Sequence, residues 1–537
     1  MHRPATLLAA TAAVALAAGA AAPAYGQTLT IGSASEPSAL DPHFHNLGPN
    51  NAMQRHLFDS LILQDADQQL QPGLATSWEP TTATSWTFEL REGVTFHDGA
   101  SFEAQDVIWT LCRIPNVPDS PSSFEIYTKA IQEAEVVDAH TIVFHTAAPY
   151  PLLPVEVSTW AVLDAPADAQ DLAYDPAGCD YAGEYPATPA FNSGERAIGT
   201  GPFTFGEFTK GERIVLNRNP DYWGEAPDFE SVTFRPITSD GPRVAALLAG
   251  DVDFIDKPPL QDLPRLEDDD DLEVAQGLSN RVIYLHMDQY ADDSPGVTGV
   301  PANPFKDVRV REALSRAIDR AAIVDRIMGG VAEPAGELLP PTMFGANADA
   351  EPTAFDPDRA RELLAEAGYG DGFELVLGTP NDRYINDELI AQAVAQMFAR
   401  IGVDTTVDAT TKSVFFSRRN DYEFSMYLAG WGSGTGEMSS PLRALVACRD
   451  PEAGFGGTNR GRYCNPEMDA VLKQALETVD ADAREELLQA ASRMVMDDYG
   501  ILPLHFEVTP WAFKQELGYT PRTDQYTLAT NISLDED

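Results

Sequence analysis

Alternating hydrophobic and polar residues predict short strands along much of the chain. Apolar residues alternate with polar ones over 86–90, which is typical of a strand with one buried face. Two further alternating runs, 203–208 and 214–216, are separated by a Lys-Gly pair and predict a hairpin. Asn219-Pro220 ends the second run, because proline has no N–H to donate to a neighbouring strand.

The second half of the chain adds apolar residues at every third or fourth position, a spacing that predicts helices. Asp307 is expected to cap one helix, and Asp356 followed by Pro357 marks the start of another, which Gly368 ends. The pattern predicts helices near 308–318, 357–367, 387–401 and 483–495, and strands near 373–377, 403–407 and 501–508. This β-α-β order predicts an α/β fold with an open sheet covered by helices.

The N-terminal residues have the three parts of a secretory signal peptide. Arg3 supplies the positive charge, residues 7–18 are apolar, and small residues reach Ala24 and Gly26, where cleavage is expected. The apolar run is too short to span a bilayer. No cysteine lies at the junction, so we expect residues 1–26 to be removed and the protein to be periplasmic without a lipid anchor.

Size and charge limit the possible partners. A chain of 537 residues is too long for one core and should form two or three domains. Its formal net charge of -47 excludes nucleic acid and anionic lipid as partners, since both would be repelled. No later segment is apolar enough to insert into a membrane.

The four cysteines of this exported chain, Cys112, Cys179, Cys448 and Cys464, can pair in three ways. Cys448 and Cys464 lie close together and would close a Gly-rich loop, which favours a disulfide between them. Their spacing does not match a zinc site, and the alternative of metal ligation stays open only as a minor one. We expect no metal site and no cofactor.

Several segments resemble one family in the same order along the chain. The module 198–256, which begins IGTGPFTF and ends ALLAGDVDFID, is similar to the signature region of the extracellular solute-binding proteins of ABC importers, family 5, the peptide, opine and nickel type. The segments FKDVRVREALSRAID and FDPDRARELLAEAGY resemble the same family.

The resemblance implies a two-lobed periplasmic-binding-protein fold of type II, the Venus-flytrap arrangement, with an extra subdomain in the N-terminal lobe. Lobe I would comprise 27–283 with the subdomain at about 55–190, lobe II 284–506, and residues 507–537 would return to lobe I. The expected partners are a small-molecule or peptide ligand and the membrane permease of an ABC importer, and the receptor is expected to be a monomer.

The glycine-rich segment 429–437 is the main candidate for ligand contact. Its glycines let backbone approach a ligand, and Trp431 offers a flat stacking surface, although a core tryptophan in a glycine loop is the plain alternative. The position resembles the family's ligand-binding loop, in which many peptide-binding members carry an aspartate three residues after the tryptophan. This chain has Gly434 there. Glu437 is the candidate substitute for the missing carboxylate.

Other candidates come from charge and resemblance. Arg383 resembles an arginine that some dipeptide-binding members place on the ligand carboxylate, and an ion pair with Asp382 or Asp387 is the alternative. His43 is expected near the mouth of the cleft. The predicted ligand-binding residues are Trp431, Gly430, Gly432, Ser433, Glu437, Arg383, Tyr384, His43 and Arg443.

The sequence therefore predicts a periplasmic solute receptor that captures a peptide-like or modified amino-acid ligand and delivers it to a permease. A receptor for nickel or another metal chelate and a chaperone-like oligopeptide binder are the alternatives. An exported hydrolase is remote, because the chain has no HExxH, nucleophile elbow or phosphate loop, and no catalytic residue is predicted.

Overall fold

A computed structural model describes residues 27–451 and 454–534. The predicted signal peptide, residues 1–26, lies outside the described residues. Within the described ranges no helix combines the length and the apolar character that a membrane span requires.

The strands alternate with helices in both halves of the chain. The strands are β1 (Thr28–Ser33), β2 (Ile62–Gln64), β3 (Leu70–Pro72), β4 (Ala75–Thr82), β5 (Ser85–Leu90), β6 (Ile131–Asp138), β7 (Thr141–Thr146), β8 (Phe203–Thr209), β9 (Arg213–Arg218), β10 (Ser231–Pro236), β11 (Phe254–Asp256), β12 (Leu272–Met287), β13 (Val297–Thr298), β14 (Ala332–Pro334), β15 (Phe373–Pro380), β16 (Val403–Thr410), β17 (Met426–Gly432), β18 (Leu502–Lys514), β19 (Leu517–Tyr519) and β20 (Ile532–Leu534).

The helices are α1 (Gly48–Leu57), α2 (Ala104–Arg113), α3 (Leu153–Val157), α4 (Thr188–Asn192), α5 (Asp240–Leu248), α6 (Leu263–Glu267), α7 (Val308–Ala317), α8 (Arg320–Arg326), α9 (Pro357–Glu366), α10 (Asp387–Ala399), α11 (Lys412–Asn420), α12 (Ser439–Pro441), α13 (Pro466–Glu477) and α14 (Ala481–Asp497).

The predicted hairpin and helix starts are confirmed. Strands β8 and β9 pair antiparallel, and β9 ends one residue before Asn219. The Asp307 carboxylate accepts the backbone N–H of Arg309 at 2.9 Å, and Asp356 accepts that of Arg359 at 2.9 Å. Each carboxylate thereby satisfies a backbone donor that the first helical turn leaves free.

One sheet of twelve strands, counted over the described residues, passes through both lobes. Its main path runs β13-β15-β17-β12-β18-β11-β1-β10-β9-β8, while β14 pairs with β18 and β16 pairs with β15. Strands β15, β16 and β17 are mutually parallel and are connected through α10 and α11, which fits the predicted β-α-β order. The result is the predicted two-lobed α/β fold.

Separate hydrophobic cores stabilise the lobes. The core of lobe I includes Leu29, Phe203 and Phe254. The core of lobe II includes Leu377 and Phe398. A further core lies beneath the four-stranded sheet β4-β5-β7-β6. The boundaries 27–283, 284–506 and 507–537, and the subdomain at about 55–190, stay predictions.

Strands β12 and β18 join the two lobes side by side. The first half of β12 pairs with the second half of β18, as in Val274 opposite Ala512, and the second half of β12 pairs with both β18 and β17. The ladder between β12 and β18 is interrupted between Leu278 and Val282. The interruption lies just before residue 283, where lobe I is predicted to end.

The described cysteines form two disulfides. Cys448 pairs with Cys464, as the sequence predicts, and Cys112 pairs with Cys179. Among the residues that the structure describes, no group of three or more His, Cys, Asp or Glu side chains could hold a metal ion.

Candidate functional site

The lobes enclose a cleft of about 1490 Å³. Lobe I contributes residues 33–37, the start of α1 and residues 256–261, whereas lobe II contributes 382–383, 385–386 and 432–434. Typical small-molecule pockets have volumes of roughly 300–1,000 Å³. A cavity of this size therefore has room for a peptide-sized ligand.

The floor of the cleft is tied together by amide hydrogen bonds. The Asn280 side chain donates to the Ser433 carbonyl and to Oε1 of Gln68, each at 2.6 Å. All three residues line the cavity. The bonds fix the loop after β17 against lobe I beside the interrupted segment of β12.

At Gly430 and Gly432 a side chain would meet different neighbours. A Cβ on Gly430 would lie 2.8 Å from the Tyr384 ring, and the Tyr384 hydroxyl donates to the Gly430 carbonyl at 3.2 Å. A Cβ on Gly432 would lie 3.0 Å from the Arg281 guanidinium. Gly432 lines the cavity together with Ser433, whereas Gly430 and the buried Tyr384 belong to the wall behind it.

Trp431 lies between these glycines and packs against the core of lobe II. Side chains of successive strand residues point to opposite faces, so Trp431 faces away from the side on which Gly432 meets Arg281. Its indole Nε1 is buried without a hydrogen-bond partner in the described structure. Trp431 does not line the cavity, and its role as a stacking surface stays a prediction.

Glu437 is held in a buried ion pair. Arg484 donates to its two carboxylate oxygens at 2.6 and 2.7 Å, and the Ser439 hydroxyl donates to Oε1. Both charged side chains are about 95% buried, with exposed fractions of 5% each. The carboxylate is therefore already neutralised inside lobe II, and it does not line the cavity.

Arg383 lines the cavity with a free guanidinium. Asp387, one of the two expected ion-pair partners, instead accepts the backbone N–H groups of Arg383 and Tyr384 at 3.1 and 3.0 Å. Asp382 accepts the backbone N–H of Lys412 at 2.5 Å. The Arg383 guanidinium lies over the Tyr384 ring at 5.0 Å and forms no ion pair within the described structure.

The expectation that His43 lies at the mouth of the cleft is wrong. Its ring is fully buried, with Nε2 2.9 Å from the Ala161 carbonyl and Nδ1 3.0 Å from the Arg113 guanidinium. Burial, and then the positive charge of Arg113, lower the pKa of His43 to about 3. Asp41 completes this group through an ion pair with Arg113 at 2.7 Å. His43 therefore packs as a neutral core residue.

Arg443 also lies outside the cavity. Its Nε donates to the Gly454 carbonyl at 3.2 Å, on the segment between the cysteines of the Cys448–Cys464 disulfide. Its charge acts on Glu156, whose pKa burial raises to about 8. Arg443 is thus a partly exposed residue that acts on a buried carboxyl and does not line the cavity.

Several cavity residues have no local sequence signal. They come from turns, the middle of β12, two helix ends and the C-terminal segment, and include Gln68, Lys257, Asn280, Arg281, Arg326, Lys412 and Gln525. His56 also lines the cavity, but its Nε2 accepts the Ala529 backbone N–H at 2.9 Å, and burial lowers its pKa to about 4. The imidazole of His56 is therefore neutral and already bonded.

Comparison with known proteins identifies one family. A model of the family described as bacterial extracellular solute-binding proteins, family 5 Middle, matches residues 69–452. The glutathione-binding protein GsiB of Salmonella paratyphi A is 28% identical over 478 residues, which cover 88% of this chain and 87% of that protein. The match extends over nearly the whole described chain.

Solved structures show the same fold. HbpA2 from Haemophilus parasuis superposes with a TM-score of 0.80 at 24% identity, covering 95% of this chain and 100% of that one. The unliganded open form of MppA, a periplasmic murein tripeptide binding protein, gives a TM-score of 0.77 at 25% identity, covering 95% and 98%. The similarity thus includes both lobes.

Proposed function

The chain belongs to family 5 of the bacterial extracellular solute-binding proteins, and we propose that it is the periplasmic receptor of an ABC importer. It captures a peptide-like or modified amino-acid ligand between its lobes and delivers this ligand to the membrane permease. GsiB, which binds glutathione, supports a peptide-like cargo of this kind.

The free guanidinium of Arg383 is the observation that carries this proposal. Arginine holds carboxylates through two parallel N–H···O bonds, and this guanidinium faces the cavity with no ion-pair partner in the described structure. A ligand carboxylate bound there would contact lobe II. Contacts to both lobes at once would favour the closed arrangement, since a ligand shifts an equilibrium only by binding one state better than the other.

Many peptide receptors of this kind bind the ammonium group of the ligand with an aspartate in the loop after the tryptophan. This chain has no such carboxylate to bind the amine of its ligand. Gly434 has no side chain, and Glu437 is bonded to Arg484. A buried ammonium without a partner is costly. The preferred ligands should therefore be acylated, modified or linked at the nitrogen, in contrast to unmodified dipeptides.

A thermal-shift screen tests the function. The melting temperature of the purified receptor is measured with dipeptides, opines, glutathione and nickel chelates. Each compound that raises it is then recovered, and its mass is measured by mass spectrometry. We expect one class to raise the melting temperature with 1:1 stoichiometry and to be returned unchanged. Recovery of a cleaved product would point to a hydrolase, and no hit in any class would contradict the proposal.

Variants at two arginines test whether the compound found in the screen binds in the cleft. Arg383→Gln should weaken binding of the hit about tenfold or more, because a charge-assisted pair to a desolvated carboxylate is lost. Arg361→Gln, on the outer face of α9, is the matched control and should leave the affinity unchanged. Equal affinity of wild type and Arg383→Gln would contradict the assigned carboxylate site.

A further inference from the structure

The charged residues that line the cleft differ in how they are bonded. Six acids line the cavity, and each already accepts a hydrogen bond or forms an ion pair. Their partners are Gly211 N for Glu36, Arg243 for Asp240, Ala34 N for Asp256, Lys412 N for Asp382, Arg281 for Glu507 and Arg522 for Asp524. Three of these acids are thus neutralised by an arginine, and the other three accept a backbone N–H group.

Four cations of the same lining have no ion pair. Arg243 and Arg281 are paired with acids, but Lys257, Arg326, Arg383 and Lys412 are exposed to the cleft and form no ion pair within the described structure. The whole chain has 83 acidic and 36 basic residues, yet six of each line this cavity. The cleft is thus enriched in basic residues relative to the rest of this acidic protein.

Three of these cations are gathered on lobe II by hydrogen bonds between their segments. The Asp382 side chain accepts the Lys412 backbone N–H, which places Lys412 beside Arg383. The Asn386 side chain donates to the Ile327 carbonyl at 2.9 Å, which places Arg326 beside the same loop. Like charges held together repel one another. An anion bound among them would remove that cost.

Lys257 lies on the opposite wall, directly after β11 of lobe I. Its backbone is fixed by a hydrogen bond from its N–H to the Pro510 carbonyl at 3.0 Å and by Arg243, which donates to its carbonyl at 2.7 Å. Its φ of 49° is a conformation that residues other than glycine rarely adopt. The adjacent Asp256 carboxyl is buried and accepts the Ala34 N–H. Burial raises the pKa of Asp256, and the charge of Lys257 opposes that rise without forming an ion pair.

We infer that the ligand is a dianion, with one negative group held by Arg326, Arg383 and Lys412 of lobe II and a second held by Lys257 of lobe I. The inference rests on the proposed receptor function and narrows its ligand class to peptide-like compounds with two carboxylates.

The two charged walls would make closure depend on both negative groups. Closing removes water from the cleft, and the interaction between two charges strengthens as the surrounding dielectric constant falls. A dianion then attracts both walls. A ligand with one negative group leaves the cations of one wall facing those of the other, and their repulsion opposes closure.

Two matched pairs of small compounds test the inference by calorimetry. N-succinyl-Ala-Ala and N-acetyl-Ala-Ala differ by one carboxylate at the far end, and Ala-Ala-Glu and Ala-Ala-Gln differ by one carboxylate near the C-terminus. We expect at least one dicarboxylate to bind about tenfold or more tightly than its partner. Equal affinity within both pairs would overturn the inference and leave the receptor function intact.

Variants locate the second negative group. Lys257→Gln should remove the preference for the dicarboxylate, because it weakens binding of the dicarboxylate and relieves the repulsion that opposes closure on its monocarboxylate partner. Arg383→Gln should weaken binding of both. Lys473→Gln, on the exposed face of α13, should change neither. A Lys257→Gln variant that keeps the full preference, or that weakens both members equally, overturns the assignment to lobe I.

Complete absence of binding also has a defined meaning. If none of the four compounds binds while the broad screen yields a monocarboxylate, cationic or neutral ligand, the inference fails and the receptor function stands. If neither screen yields a ligand, both fail.

Discussion

Arg484 and Glu437 form a buried, doubly hydrogen-bonded ion pair in lobe II, with the guanidinium of Arg484 also lying 5.1 Å from the centre of the Phe344 ring. The pair joins α14 to the loop that follows Trp431. It thereby holds the loop in place beside the cleft, although neither side chain lines the cavity.

Removing one partner of this pair should destabilise lobe II. Glu437→Gln or Arg484→Met leaves the other member of the pair buried and charged without a partner. Breaking a buried ion pair in this way lowers the free energy of unfolding by about 3–5 kcal/mol. Replacing both together should cost less than either single change. Urea unfolding followed by circular dichroism measures these differences, and Arg359→Met, in an exposed pair with Glu366, is the control that should leave the unfolding midpoint unchanged. Additive costs in the double variant would contradict the expected coupling.

Gly434→Asp should create a site for a free amine. A Cβ at this position would lie 3.7 Å from the Tyr127 hydroxyl, which is ordinary contact, so a Cβ is accepted without a clash. We expect the variant to bind Ala-Ala about tenfold more tightly than wild type, because a carboxylate then faces the ammonium. Gly434→Asn has the same shape without the charge, and its affinity for Ala-Ala, measured by calorimetry, should equal that of wild type. Equal gains for both variants would mean that charge is not the missing element.

Glu156 should make the thermal stability of the protein depend on pH. Tyr150 donates its hydroxyl to the Glu156 carboxyl at 2.7 Å, and burial raises the pKa of Glu156 from its ordinary 4.5 to about 8. Between these values the folded chain keeps a proton that the unfolded chain has lost, so the stabilisation is full below pH 4.5 and disappears as the pH rises through 8. Glu156→Gln removes this dependence.

Thermal scans at pH 5, 7 and 9 check the sign. The melting temperature of Glu156→Gln relative to wild type should increase from pH 5 to about pH 8 and then level off. Glu79→Gln, at an exposed position, should give a difference that does not change with pH. A Glu156→Gln difference that is constant or decreases with pH would contradict the assignment.

Gly372→Ala should be much more costly than Gly250→Ala. Both glycines have a left-handed backbone, with φ of 78° and 73°, which costs a residue with a Cβ about 1–2 kcal/mol. At Gly372 the new Cβ would also lie 1.9 Å from the Gly402 carbonyl oxygen, whereas nothing lies within 4 Å at Gly250. Overpacking should add roughly 1–3 kcal/mol to the loss of unfolding free energy at Gly372. Equal losses in urea unfolding would show that the loop moves to accept the methyl group.

Local sequence signals predicted most of the fold. Asp307 and Asp356 were identifiable as helix caps because a cap needs only its own helix, and the alternation in 86–90 is the property of one strand. Helix α1 was missed, since it starts at Gly48-Pro49 and its polar residues include the buried Asn50 and Gln54. Tertiary contacts, not periodicity, hold it in place.

The site was less predictable because it depends on contacts between distant segments. Gly432, Ser433 and Arg383 were predicted and do line the cavity. Glu437 looked free in the sequence, and only the fold shows that Arg484, 47 residues later, is its partner. Lys257 lies in no recognisable motif, and its position opposite Arg383 depends on the packing of segments that are far apart in the sequence.

The interrupted ladder in β12 also has a mechanical consequence. Residues 279–281 have no partner in the β18 ladder, so a twist at this point disturbs few interstrand hydrogen bonds. Asn280 and Arg281 of the same segment touch the cavity. The gap in the ladder and the lining of the cavity therefore share two residues, Asn280 and Arg281. We expect a change at either residue to alter how fast the lobes reopen as well as how tightly they hold a ligand. We therefore expect the rate of ligand release to depend on this strand as well as on the binding pocket.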